Sequence, residues 1–281
     1  MNKSKRRRQL KQDQHTLLKG VNLGSTQAEP TEAMARQLFS MLEQSKRDGK
    51  IDAPVKFLQS KINASLTNLG DLTLACKKGC SHCCYVWVSA TAPEVLFISK
   101  LVKRMGKATI ERVRDAHERT KEFDFDTRYL HPQACPLLED DLCQIYDSRP
   151  NACRFAASGS AESCALAYHN LSDEAIPIPT THLKGSSIYS LAMAAALKKA
   201  DLAYHAYEFS AALIRAIDTE NAERAWLSGE NVFSEVMREP ADIFAEPTAQ
   251  QIYEHAFRSV SYTHLRAHET RHDLVCRLLL E

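Results

Sequence analysis

The sequence predicts a mainly α-helical protein with a cysteine-rich, irregular metal-binding segment and at most short strands. Three observations carry this. Apolar residues recur at helical spacing on both sides of the chain's middle. Eight of the nine cysteines fall between residues 76 and 164. Between 131 and 164, Pro132, Pro136, Pro150 and Gly159 interrupt any regular pattern.

Length and composition bound the rest. A chain of 281 residues, 44% of them hydrophobic, can fill the core of one large domain or two small ones. No stretch approaches the roughly 18 consecutive apolar residues of a membrane helix, and the basic start MNKSKRRRQLKQDQH is not followed by an apolar segment. The expectation is a cytoplasmic protein with no membrane partner. In a reducing compartment nine cysteines point to metal ligation or redox chemistry rather than to disulfides.

Taken in order, residues 1–26 read as a basic, disordered arm: Lys3, Lys5, Arg6, Arg7, Arg8, Lys11 and Lys19 stand against Asp13 alone. Such an arm can meet nucleic acid electrostatically, although no aromatic residue is interleaved with the charges. Residues 27–70 read as N-terminal helices. The first, Pro30 to Arg47, sets Met34, Leu38, Met41 and Leu42 on one face and stops at Asp48-Gly49. The second begins near Pro54 with Val55, Leu58, Ile62 and Leu66 as its stripe and stops at Asn68-Leu69-Gly70. Residues 71–170 form the cysteine-cluster segment. Within it Thr91-Ala92-Pro93-Glu94 spells a capping box that opens a helix through Val102, and a charged helix follows from 107 to 121. Short strands are expected at 136–138 and 142–146 around Glu139-Asp140-Asp141. Residues 171–259 read as C-terminal helices, with Ile188, Leu191, Ala195, Tyr204, Tyr207, Leu213, Ile214 and Ile217 in the core.

The last 22 residues carry His264, His268 and His272 at helical spacing, a pattern that would align three imidazoles. VSYTHLRAHET nevertheless resembles the conceptual translation of a transposase sequencing adapter, and LVCRLLLE that of a flow-cell adapter. Residues 260–281 are therefore expected to be a non-native, adapter-derived tail, which removes Cys276 from the functional count.

The remaining thiols form two groups. Cys76, Cys80, Cys83 and Cys84 come first. On a helix their offsets would fall within an arc of about 100°; Lys77, Lys78 and Gly79 equally permit a loop whose N–H groups face the sulfurs. Cys83 and Cys84, being adjacent, diverge, and so suit different metal ions or different corners of a cluster. Cys135, Cys143, Cys153 and Cys164 form the second group. Soft thiolates select zinc, iron or an iron-sulfur cluster and exclude magnesium and calcium. Four thiolates on one divalent zinc leave a charge of about −2, which Arg149 and Arg154, flanking Cys153, are placed to offset; a surface salt bridge to Asp147 or Glu139 is the alternative. His82, His131 and His169 lie near cysteines as substitute ligands or as ordinary polar side chains.

CKKGCSHCC, with CPLLEDDLCQIYDSRPNACRF about fifty residues later, resembles the YkgJ-type cysteine-cluster family of CxxCxxCC proteins, over roughly 71–160. The resemblance implies zinc or iron chelation. It places Cys76, Cys80, Cys83, Cys84, Cys135, Cys143 and Cys153 on family positions, with Glu94, Tyr146, Arg149, Pro150 and Arg154. Cys164 lies beyond the core pattern, and the C-x3-C opening is one residue longer than the family's name. A metal-binding protein holding two ions or one cluster is the leading expectation. Flagellin lysine methylases carry a related cysteine-rich region, so one alternative is a redox or protein-modifying enzyme built around the cluster. Another is a zinc-stabilised adaptor that meets nucleic acid or protein through the basic arm.

Overall fold

The computed structural model describes residues 25–67, 74–169, 176–239 and 242–258. The basic arm up to residue 24, the helix stop at 68–70 and the tail from 259 lie outside the described residues. Helix dominates what is described, as predicted.

Helix α1 (Ser25–Asp48) begins ahead of the predicted Pro30 and buries Ala35, Leu38 and Leu42 completely. It stops where predicted. Gly49 takes the left-handed conformation (φ 66°), and its N–H and that of Lys50 reach back to the Ser45 carbonyl at 2.8 and 3.2 Å. Helix α2 (Asp52–Thr67) buries Val55, Leu58 and Ile62.

A short strand β1 (Ser89–Thr91) leads into α3 (Ala92–Met105), whose start is fixed by the predicted capping box. One Glu94 carboxylate oxygen accepts from the Thr91 N–H (2.9 Å) and from its hydroxyl (2.6 Å). Helix α4 (Lys107–Thr120) sinks only Thr109, Val113, Ala116 and Thr120, leaving its charged face to solvent. In α5 (Phe125–Leu130) the Asp124 side chain caps the Thr127 N–H at 2.7 Å.

The predicted strand pair is real but shorter. β2 (Leu138–Glu139) and β3 (Leu142–Cys143) form a hairpin whose two turn residues, Asp140 and Asp141, both have positive φ (48° and 59°). A two-residue turn of that kind matches the twist of the strands, and aspartate tolerates it better than most residues. The expectation of an irregular 131–164 is corrected in part: α6 (Asn151–Phe155) carries Cys153 and α7 (Ala161–His169) carries Cys164. Helix α6 exists because Glu94 uses its second oxygen on the Asn151 N–H (2.6 Å), a long-range contact that no local pattern announces.

The C-terminal part is corrected too. After α8 (Thr180–Lys199) the chain forms a strand, β4 (Ala206–Glu208), before α9 (Phe209–Asp218), α10 (Ala222–Leu227) and α11 (Pro247–Phe257). β4 pairs antiparallel with β1 in the register Ala90 opposite Tyr207, so Tyr207 is buried on a strand and not on a helix. The other predicted core residues hold: Leu191, Ala195, Leu213 and Ile214 are buried, and Ile188, Tyr204 and Ile217 pack against the same core.

α1 packs on α8 and α11, and α9 packs on α3 and α4. One apolar cluster runs from Ala35 to Ala256, each large side chain adding roughly 1.5–3 kcal/mol by burial. The strand pair β1–β4, the Glu94–Asn151 hydrogen bond and the packing of α6 on α8, α2 and β1 anchor the cysteine segment to this core.

Candidate metal centre

The CKKGCSHCC stretch is a loop, so of the two geometries open to it the helical one is not used. The chain turns at Lys78-Gly79, with Gly79 at φ 94°, and the Cys80 N–H bonds the Lys77 carbonyl at 3.0 Å. The Cys84 N–H bonds the Ser81 carbonyl (2.8 Å) and opens a single tight turn, His82–Tyr85.

Backbone bonds then bring the second group of thiols to the first. The N–H groups of Cys135 and Gln133 donate to the carbonyls of Cys84 (2.7 Å) and Tyr85 (3.0 Å). The hairpin sets Cys143 opposite Leu138, and the Ser81 hydroxyl ties the hairpin tip to the loop through Asp141 at 2.7 Å. On the other flank the Ala75 N–H donates to the Ser158 carbonyl (2.9 Å), and the Ser158 N–H points at the Cys76 sulfur (3.3 Å). Helix α7, carrying Cys164, packs on the His82–Tyr85 turn.

All eight cysteines are free thiols, and their mutual electrostatics divides them. Burial pushes the Cys76 thiol up, and charge on Cys80, Cys83 or Cys164 would push it further. Cys164 is likewise raised by burial, then by Cys83 and Cys80. On the other side burial lifts Cys135 to about 12, with Cys143 adding to it. Burial also raises Cys143 and Cys153, and Cys153 feels Cys135, Cys83 and Cys143. Cys83 is raised chiefly by its hydrogen bond with Cys84 and then by burial. Cys76, Cys80 and Cys164 thus influence one another and feel Cys83, while Cys135, Cys143 and Cys153 form a second mutually interacting set that Cys83 also reaches. Among the described residues, no three His, Cys, Asp or Glu side chains already stand close enough to hold an ion. The donor set suits a soft metal, whose binding would draw the sulfurs inward and displace their protons.

Arg149 stacks its guanidinium 3.9 Å from the Tyr146 ring centre, and its charge lowers Cys83, Cys143 and Cys153 against the opposing effects. Its buried Nε has no hydrogen-bond partner. Arg154 points its donors elsewhere: Nε to the Arg149 carbonyl (3.1 Å), Nη1 to Asn63 (2.6 Å) and Nη2 to the Asp147 carbonyl (2.5 Å). Glu139, its alternative partner by sequence, pairs instead with Arg112 at 2.7 Å.

Two residues near the thiols escape sequence reasoning. Arg128 is 4% exposed, with Nε and Nη1 unpartnered, and it senses the charges of Glu208 and Cys135. Its place in an ordinary polar stretch, DTRYL, gives no signal. Ser158, 1% exposed, supports Cys76 by its N–H and Cys164 by its side chain. Its position midway between Cys153 and Cys164 is the only hint. Of the histidines, His82 and His169 meet, Nδ1 to Nε2 at 3.0 Å, with the Tyr85 ring edge-on to His169; His131 lies against Phe123.

No curated protein and no solved structure matches the chain. A family model does match it. The CxxCxxCC model, described as a "putative zinc- or iron-chelating domain", covers residues 75–172, which take in the whole thiol constellation with Ser158, Arg128 and Arg149. This agrees with the expectation drawn from CKKGCSHCC and CPLLEDDLCQIYDSRPNACRF. Over residues 75–172, then, this chain is similar to the CxxCxxCC domain.

Proposed function

We propose that the protein binds two zinc or iron ions through Cys76, Cys80, Cys83, Cys84, Cys135, Cys143, Cys153 and Cys164. The single observation that carries this reading is electrostatic: the thiols fall into two flanks of three that interact among themselves, each reached by Cys83, whose neighbour Cys84 cannot point the same way. Each flank then needs one thiolate of the Cys83–Cys84 pair to complete a four-sulfur set. When bound, the metal supplies cross-linking of segments that share few apolar contacts; a tightly held structural zinc contributes roughly 10–16 kcal/mol. Around it the chain's own residues offset the thiolate charge, Arg149 beside Cys83, Cys143 and Cys153, and Arg128 beside Cys135. Ser158 donates its N–H to Cys76 and so favours the thiolate there.

The test is metal content per chain, measured by mass spectrometry beside a visible spectrum on protein purified without oxygen. About two metal ions per chain without acid-labile sulfide supports the reading. Iron with stoichiometric sulfide and broad absorption near 400 nm replaces it with a single cluster, and a metal-free chain that takes up neither zinc nor iron sinks both.

A further inference from the structure

Helix α6 faces more than the thiols. Its residues Asn151, Ala152 and Phe155, on either side of Cys153, line a cavity of about 240 Å³ shared with β1, Glu94, α8, residues 204–206, Glu239 and Ile243. Ligand pockets for drug-sized molecules run from about 300 Å³ upward, so this one suits a fragment-sized occupant. Its walls are apolar and aromatic. Phe155 and Tyr189 stack with centroids 5.9 Å apart and planes 21° from parallel, and Met193, Tyr204 and Ile243 continue the surface.

Carboxylates and hydroxyls interrupt those walls. The Trp87 ring N–H donates to the Ser89 hydroxyl (2.7 Å), which in turn donates to Glu239 and so fixes one of its carboxylate oxygens. The Asn151 side-chain oxygen is buried with no donor at all. Among the described residues lining the cavity there are two carboxylates, Glu94 and Glu239, and no lysine or arginine. Glu94 is already consumed by the Thr91 and Asn151 N–H groups and the Thr91 hydroxyl. That leaves the Glu239 charge uncompensated within the lining, which also carries the rings of Phe155, Tyr189 and Tyr204. Both features call for a cation, since a half-buried carboxylate needs a partner and ring faces attract positive charge.

We propose that this cavity binds a small organic ammonium ion, its charged head on Glu239 and its apolar body between the rings. His205, the histidine of the lining, does not oppose this: burial first and the charge of Arg238 second hold it below its usual pKa, hence neutral. The proposal is independent of which metal the thiols hold.

Phenethylamine is a probe of the right class, and 3-phenylpropionate a control of similar shape and opposite charge. Ligand-observed NMR and calorimetry on the full chain are expected to show phenethylamine binding and no binding of phenylpropionate. Glu239→Gln is expected to weaken phenethylamine at least tenfold. Ser190→Trp, which places an indole at an exposed lining position, is expected to abolish binding without touching the core. Equal binding of the two probes, unchanged binding in both variants, or no binding to the wild type at millimolar concentration would each overturn the proposal. If Glu239→Gln fails to fold, Ser190→Trp alone decides. Metal content measured on the same samples separates a failure here from a failure of the chelation reading.

Discussion

At the scale of single residues, Glu94 shows how one side chain can serve two elements. It closes the start of α3 and, from 57 positions away, props up the start of α6. Replacing it with alanine strips three donors of their acceptor in a site only 3% exposed; a loss of about 3 kcal/mol is expected, read from the urea midpoint. The capping role was legible from Thr91-Ala92-Pro93-Glu94, whereas the second role was not, because nothing local links residue 94 to residue 151. Arg128 makes the opposite case. Its guanidinium is buried with two nitrogens unpartnered, so Arg128→Met should leave the metal-free chain at least as stable while lowering metal affinity about tenfold or more, measured by competition with a chromogenic chelator. The thiols themselves set a pH limit. An unfolded cysteine loses its proton near pH 9, but burial holds Cys135 protonated to about 12. Deprotonation therefore favours the unfolded chain in that interval. The metal-free protein should keep full stability below pH 9 and lose it progressively above, as thermal melts across pH 8 to 11 would show.

Among the elements, those defined by local chemistry were readable in advance and those defined by distant partners were not. α1 ends at a left-handed glycine, α3 begins at a capping box, and the β2–β3 turn is announced by consecutive aspartates. β4 was missed because Tyr204, Tyr207, Leu213 and Ile214 fit a helical period; its identity comes from pairing with β1, more than a hundred residues earlier. The thiols stood out in the sequence, but which of them lie near one another did not. Spacing alone says nothing of Cys164 returning to Cys76, since that return depends on Ser158. The hairpin offers a direct check. Asp141 accepts the Ser81 hydroxyl at 2.7 Å and sits at φ 59°, so Asp141→Ala removes a bond and leaves a residue less suited to that conformation. A cost of about 1–2 kcal/mol is expected, together with faster metal release to a chelator.

The whole molecule rests on an apolar core that the thiols do not enter as principal members. Leu38 on α1 and Leu213 on α9 belong to the same cluster, so Leu38→Ala should cost about 2–5 kcal/mol in one cooperative transition, without changing the metal stoichiometry. Metal removal should do the reverse. Most helical residues lie in α1 to α4, α8 and α9, so chelation should leave the far-ultraviolet circular dichroism nearly intact while opening residues 131–164 to protease, located by mass spectrometry of the fragments. The contact between Ser158 and Cys76 also fixes an order in time. During synthesis Cys76, Cys80, Cys83 and Cys84 leave the ribosome as a foursome, and the residues that meet them, from Cys135 through Ser158 to Cys164, emerge only later. β1 waits longer still, for residues 206–208. On the proposed two-ion reading, any ion captured by the nascent foursome would exchange partners once the later thiols arrive, which makes loading a late event in the life of the chain.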